Sequence, residues 1–404
     1  MSIGGRSLTC RAPDCTGNVG ALWWGPGDEL FFVRGGTSAN GGVTRLLRWR
    51  PGRDPAPRPV LSTIDALIGC QPAGSSIICA REGLTQPRQI VRIDPASGRL
   101  VVLFDPNPEF ARLVKGPVRR LRWRDAHGVP AYGDFVLPPG ARKGMRYPLI
   151  VVQYYSRGFL RGGTGDEYPI FALAARGFTV LSVNRPGFFA AGKAHSIAEF
   201  MRLSTAHFAE RRRVLASIEA GVHKVIAAGW ADPRRIGITG LSDGAATVQY
   251  ALINSRLFRA AAVSSCCDEP SSSMFAADRG YGDMLMAAGF PRPGDPDHGF
   301  WKHYSLGANA GWLRTPILFQ LTQDEFRLGL ATFVTLDLHA VPVEMHVFAG
   351  DYHQKWHPAH RLASYERAID WFDFWLNGRE DGSPAKAAQY QRWRALARRQ
   401  AHGR

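Results

Sequence analysis

No run in this 404-residue chain is apolar for long enough to cross a bilayer. The first residues, MSIGGRSLTCRAPDC, hold no apolar core, so no secretory leader is visible. On that ground the chain reads as cytoplasmic, or as periplasmic if sequence ahead of Met1 is missing. Cysteine is scarce: there are six, and their spacing is not that of a metal site. Cys10 and Cys15 sit together in a Gly/Pro-rich start and are candidates to pair. Cys70 and Cys79 flank the turn QPAGSS and either face each other or belong to a core. A disulfide between vicinal Cys266 and Cys267 would be strained. Acid is short as well, 34 Asp and Glu against 50 Lys and Arg, a net charge of +16. The basic excess is spread out, with small clusters at Arg211-Arg212-Arg213 and in the tail, and no nucleic-acid motif accompanies it. A basic surface is the plain reading, and acidic peptides come second as partners. Nothing in the spacing asks for a metal or a cofactor.

What the chain does hold is RRIGITGLSDGAATVQY, from Arg234 to Tyr250. It reads as a short buried strand around Ile236 and Ile238, a sharp turn, and a helix beginning at Ala245. That is G-x-S-x-G in the strand–turn–helix context of a nucleophile elbow. Gly240 and Gly244 let strand and helix approach around a serine held in a strained conformation. The bare pattern is also met in ordinary glycine-rich turns. The flanking strand and helix are what point to Ser242 as a nucleophile.

A serine nucleophile needs a base and an acid to orient it, in the chain order Ser, Asp, His for this fold class. Thr315 to Thr322 (TPILFQLT) reads as a buried strand, and Asp324 stands at its C-terminal end. Glu325 is the rival, although it already opens a helix and reads as a solvated first-turn acid. Pro342 to Phe348 (PVEMHVF) is an alternating strand, and His353 follows in the next loop. His346 reads as a packed core histidine and Asp351 as a turn residue. His357 and His360 compete with His353 for the role of base.

Residues 20 to about 105 are different material, short Trp/Phe/Ile-rich runs cut by Gly, Pro and Asp. They repeat: LWWGPGDELFFVRG, TRLLRWRPG and PVLST are answered by LIGCQPAGSSIICARE and RQIVRIDPASGRLVVLF, roughly 45 residues on. Each unit reads as four short strands, the period of a propeller blade; a plain β-meander is the alternative. A propeller closes with about four blades or more, and there is room for two. The expectation is therefore a chain that is the end of a longer protein, or one whose start is misplaced. Two open blades would expose Trp23, Trp24, Phe31 and Phe32 and favour self-association.

Beyond Leu113 strands alternate with helices, which means a mostly parallel sheet with helices on both faces. The expected division is residues 1–112 as a partial propeller, 113–380 as an α/β-hydrolase catalytic domain, and 381–404 as a basic tail, either a surface helix or loose.

Together these residues resemble the prolyl oligopeptidase family of serine peptidases, whose members join an N-terminal propeller to a C-terminal α/β-hydrolase domain. Five strings are similar to the lasso peptide isopeptidases within it: GLSDGA at Gly240, SSCCDEPSSSMFAA at Ser264, GYGDMLMAAGFPRPGD at Gly280, LTQDEFRLGLAT at Leu321 and VPVEMHVFAGDYHQKWHPAHR at Val341. The resemblance implies an oxyanion donor: the family's tyrosine, six residues after the proline that opens its strand, falls here on Tyr154 after Pro148. Its hydroxyl would act with the backbone N–H of Asp243, and Tyr155 is the rival. Two departures stand out. Ala245 replaces a customary glycine but stays small. Asp243 is unusual beside a nucleophile; its carboxylate would raise the pKa of a nearby imidazole and repel an acidic acyl chain, unless it points away. The implied substrate is a small threaded peptide, opened at an isopeptide bond between an Asp or Glu side chain and its own N-terminus. Another oligopeptidase, aminopeptidase or esterase of the same fold, and an inactive remnant or peptide-binding scaffold, remain open beside it. The residues that would bind the peptide are not legible.

Overall fold

The computed structural model describes residues 2–3, 6–17, 19–270, 279–292 and 294–402. Part of the SSCCDEPSSSMFAA string, residues 271–277, therefore lies outside the described residues. The chain divides into two compact units, Met1–Val114 with Arg157–Leu160, and Lys115–Ser156 with Arg161–Arg404.

In the first unit, strands β1 (Ser2–Ile3) and β2 (Arg6–Ser7) pair, and two four-stranded sheets follow. One runs β3 (Val19–Trp24), β4 (Leu30–Arg34), β5 (Thr44–Trp49) and β6 (Arg58–Thr63). The other runs β7 (Ala66–Ala73), β8 (Ser76–Gly83), β9 (Gln86–Ile93) and β10 (Leu100–Phe104). Neighbours are consecutive in sequence and antiparallel, which is the up-and-down order of a propeller blade. Side chains alternate between faces along each strand. Phe31, Val33 and Leu46 accordingly meet Ile77, Val91 and Ile93 of the other sheet in one cluster. Leu30, Phe32, Leu47 and Trp49 form a second cluster on the opposite face. Phe31 and Phe32 are thus buried, contrary to the expectation from open blades. Phe31 is covered by the facing sheet, and Phe32 by the segment ahead of β3, where Cys10 and Cys15 pack on its face. Asp14 there pairs with Arg34 and Arg45 at 2.9 and 2.8 Å. Trp24 stays exposed, as do Val102, Leu103 and Phe104 on β10. The cysteines pair as Cys10–Cys15, Cys70–Cys79 and Cys266–Cys267.

The second unit is built on an eight-stranded sheet. Its strands are β11 (Val118–Arg124), β12 (Pro130–Val136), β13 (Tyr147–Tyr154), β14 (Thr179–Asn184), β15 (Ala231–Gly240), β16 (Ala260–Val263), β17 (Ile317–Thr322) and β18 (Val343–Phe348). The order is β11-β12-β14-β13-β15-β16-β17-β18, with β12 antiparallel to both neighbours and every pair from β14 to β18 parallel. Such strands are covered on both faces and read as continuous apolar runs. Around them lie α1 (Ile170–Ala175), α2 (Ile197–Thr205), α3 (Ala209–Ala227), α4 (Asp243–Asn254), α5 (Arg279–Ala287), α6 (Phe326–Leu338), α7 (Pro358–Phe372) and α8 (Ala387–His402). Ile236 and Ile238 of β15 share a cluster with Ile218 and Val222 of α3 and Val248 of α4. Gly237 between them turns to the other face, where an added β-carbon would come within 2.7 Å of Phe372 on α7. Helices therefore cover both sides.

The tail is not loose. Trp393 of α8 is fully buried and meets Trp371 edge to face at 5.1 Å. The Trp393 indole N–H donates to Glu344 at 2.5 Å. Two large rings, Tyr390 and Trp393, recur on one side of an otherwise polar helix, and their burial fixes it to the unit. The described part of this stretch, residues 381–402, therefore belongs to the α/β unit.

Candidate active site

Strand β15 ends at Gly240 and α4 starts at Asp243, so Ser242 stands at the turn with φ 59° and ψ −125°. Both glycines are required there. A β-carbon on Gly240 would lie 2.3 Å from the Gly244 carbonyl, and one on Gly244 would crowd the Tyr154 ring at 3.2 Å. The Ser242 N–H donates to Ser265 Oγ at 2.7 Å, tying the elbow to the loop after β16. A non-glycine residue at positive φ costs of order 1–3 kcal/mol and persists only where surrounding structure imposes it. Here it lifts the serine clear of the backbone, at the C-terminal edge of the parallel strands, where ligands of such sheets bind.

His353 lies in the loop after β18, and its Nδ1–H donates to Glu325. Asp324, the expected partner, is exposed and makes no bond to His353 among the described residues. The acid bonded to His353 is therefore Glu325, where Asp324 was expected. The physical reason is the turn after β17. Glu325 N–H donates to Thr322 O at 3.1 Å, closing one turn that swings residue 325, with its longer side chain, toward the imidazole. That bond is the main cause that raises the His353 pKa; burial opposes it. The rival histidines are engaged elsewhere. His360 Nδ1–H donates to Asp351 at 2.7 Å, and His357 Nε2 stands 3.9 Å from the same carboxylate. Asp351 also accepts the N–H groups of Trp356 and His357 at 3.0 and 3.2 Å. Burial works against its ionisation, yet these bonds outweigh it and hold the carboxyl below its ordinary range. His346 is half-buried and bonded to Glu344 at 2.8 Å.

Tyr154 ends β13 beside the elbow, its ring packed against Gly244. Burial, then the charge of Asp243, pushes that phenol up, so it stays protonated and can donate. The backbone N–H of Asp243 opens α4, where helix N–H groups lack intrahelical partners and favour negative charge. The Asp243 carboxylate is held by two guanidiniums. Arg185 reaches it at 2.9 Å and Arg211 at 2.8 Å. Burial opposes its ionisation, but Arg211 and then Arg185 prevail and lower its pKa. Arg185 in turn pairs with Glu210. The cost expected of an acid beside the nucleophile is met by two guanidiniums.

Ser242, Asp243, Asp324, Glu325 and His353 line one cavity of about 500 Å³, together with Arg211 and Cys266-Cys267. Ser242 and His353 face the same space without a direct hydrogen bond, a looseness common before substrate binds. A second cavity of about 270 Å³ shares Arg211 and Asp243 and is lined by Phe188, Phe200, Phe208 and Phe290. Sequence reasoning missed Arg185, Ser265 and the role of Arg211. Two of these had a signal: Arg185 directly follows a parallel strand's C-terminal end, and Arg211 begins the triple-arginine cluster. Among the described residues no helix is long and apolar enough to cross a membrane, and no group of three or more His, Cys, Asp or Glu is arranged to hold a metal ion.

The chain is similar to known proteins along most of its length. It is 39% identical over 97% of its residues to the lasso peptide isopeptidase AtxE2 of Asticcacaulis excentricus, and spans 56% of that relative. Two solved structures of AtxE2 isopeptidase superpose on it. The apo form has a TM-score of 0.91, and a serine-to-alanine variant with Astexin3-dC4 bound has 0.90, each at 38% identity over 98% of this chain. The chain covers 60% and 61% of those two. An acylaminoacyl peptidase of Pyrococcus horikoshii shares the fold at 20% identity, with a TM-score of 0.69 over 91% of this chain and 58% of that one. Residues 167–379, more than half of the chain, match the prolyl oligopeptidase family, and with that match the chain belongs to it.

Proposed function

We propose that this chain carries the catalytic machinery of a serine isopeptidase that opens threaded peptides of the lasso class. The observation that carries the chemistry is Ser242 at positive φ, beside Tyr154 and in one cavity with the His353–Glu325 pair. The likeness to AtxE2 supports the substrate class. Ser242 Oγ attacks the carbonyl carbon of the amide while His353 Nε2 takes its proton. Glu325 holds the other ring nitrogen in the donor tautomer and stabilises the imidazolium. The negative oxygen of the tetrahedral intermediate accepts from the Tyr154 hydroxyl and the Asp243 N–H. Collapse expels the amine, which takes the proton back from His353. Water then adds to the acyl-enzyme by the same route and releases the acid. An isopeptide bond is an ordinary amide to this machinery, so choice of substrate falls to the surroundings of the cavity.

The experiment is incubation of the protein with a lasso peptide, followed by mass spectrometry. Gain of one water with loss of the threaded form is the expected result; labelling by a fluorophosphonate probe with no opened peptide would leave a serine hydrolase of other specificity. For the compartment, we propose an oxidising one such as the periplasm, ahead of the cytoplasm. The Cys10–Cys15 and Cys70–Cys79 pairs support it, because cytosolic thiols are kept reduced. Alkylation of freshly isolated native protein followed by mass analysis tests it; four modified thiols at these positions would overturn it.

A further inference from the structure

The loop that carries His353 has no regular structure between β18 and α7 and is held by side chains. Its deepest anchor is Lys355, two residues beyond the base. Lys355 Nζ lies 2.8 Å from Glu167 Oε2, and its N–H donates to Glu167 Oε1 at 3.0 Å. The two side chains are 0% and 1% exposed. Arg361 closes the other side, its guanidinium donating twice to the Lys355 carbonyl at 2.8 and 3.2 Å. A buried ion pair is a poor way to gain stability, because stripping water from two charges offsets most of their attraction. An apolar pair would fill the same volume. A polar clamp at this place fixes geometry instead.

Glu167 belongs to a short segment that reaches three parts of the site. Thr164 Oγ1 accepts the N–H groups of Tyr154 and Tyr155 at 3.1 and 3.3 Å. Gly165 lies so close to Leu241 that a β-carbon would come within 2.2 Å of that side chain. The Tyr168 hydroxyl lies 3.3 Å from the Gly240 carbonyl and donates to the Ala262 carbonyl at 3.0 Å, while accepting from Ser264 at 3.0 Å. Residues 164 to 168 thus touch the oxyanion tyrosine, the strand side of the elbow and the base loop.

We propose that Glu167 is a positioning residue: through Lys355 it fixes where His353 stands relative to Ser242, and its segment keeps donor, nucleophile and base in one register. This rests on the serine-hydrolase reading above. Glu167 also acts on the imidazole by charge. Of the charged groups acting on His353, Glu325 and Glu167 raise its pKa and Lys355 lowers it, and the Glu325 hydrogen bond is the largest influence.

The test uses hydrolysis of a p-nitrophenyl ester by Glu167→Gln and Glu167→Ala, per active site counted with a fluorophosphonate probe. Gln keeps an acceptor for the Lys355 N–H and loses the charge; Ala loses both. The expected result is a fall in kcat of about tenfold for Gln and about a hundredfold for Ala, with KM within about twofold. The midpoint of the rising limb of kcat/KM moves to lower pH in Glu167→Gln, since a negative charge near the base is gone. A role confined to folding would lower the count of active sites and leave kcat per site and the midpoint alone. Unchanged kcat per site with an unchanged midpoint in folded Glu167→Gln overturns the proposal. Should Glu167→Ala not fold, Arg361→Gln loosens the same loop from a partly exposed position: a lower kcat supports the proposal and an unchanged one counts against it. If the wild type takes no probe, the serine-hydrolase reading has failed. NMR titration of the His353 imidazole then decides: a lower pKa in Glu167→Gln supports the proposal and an equal one overturns it.

Discussion

Ser242 and His353 line the same cavity but are held by opposite means. The serine is placed by backbone: a strand end, a helix start and two glycines that admit no β-carbon without a clash or crowding. The histidine is placed by side chains, Glu325, Glu167 with Lys355, and Asp351, on a loop without regular structure. A backbone device is local and leaves its mark as a motif. A side-chain device draws on residues up to 188 positions apart and leaves none. Backbone placement should therefore be robust to substitution of neighbours, and side-chain placement should degrade in steps.

The largest expected effect comes from removing the group that the backbone presents. Ser242→Ala should lower kcat by about 10⁴-fold or more while leaving the folded state intact, as read by ester hydrolysis and circular dichroism. Turnover near that of the wild type would dissolve the comparison, for there would be no nucleophile to place.

His353→Ala should approach the same loss, on the order of 10³-fold or more, while His357→Ala stays within a few fold. The contrast follows from partners: His357 stands 3.9 Å from Asp351 at the far end of the loop, whereas His353 holds Glu325 in the cavity. If His357→Ala were the inactive variant, the base would have been misassigned.

Sharper still is the choice between adjacent acids. Glu325→Gln should cost about 10²-fold or more in kcat, and Asp324→Asn no more than about threefold. The pH profile gives the sign. The Glu325 bond, opposed by burial, holds the His353 pKa above the ordinary 6.5. A base with a raised pKa is neutral only above that value, so activity climbs with pH through a midpoint above 6.5. Glu325→Gln shifts that midpoint down. For folding the sign runs the other way: the pair's contribution is complete below the unfolded histidine's pKa and is lost as pH rises through the folded value. A profile that Glu325→Gln leaves in place would return the role to Asp324.

These contrasts also explain what was legible in the sequence. Alternating apolar runs and helical stretches marked the strand–helix alternation of the α/β sheet and the two four-stranded units, because burial on one or two faces dictates residue type directly. Gly240, Ser242 and Gly244 were legible for the same reason. Asp324 was chosen over Glu325 on position along the strand, yet one turn closed by the Thr322 carbonyl decides which carboxylate reaches the imidazole. Nothing in residue order reports that turn. The burial of Phe31 and Phe32 was hidden likewise, since Phe31 packs against the facing sheet and Phe32 is met by Cys10 and Cys15 from the segment ahead of β3, neither of which residue order reports.

Helix α8 has a consequence for anyone handling the protein. Its composition, rich in arginine, alanine and glutamine, invites trimming as if it were a flexible leader for a tag. Yet Trp393 is a wedge between Trp371 and Glu344, and Arg399 is tied to Asp337 on α6. Trypsin has several basic residues to choose from along this helix and should spare them in the native protein until the whole α/β unit melts. Trp393→Ala, which removes a side chain whose loss costs roughly 3–5 kcal/mol in a packed interior, should turn the same helix into the first site of cleavage.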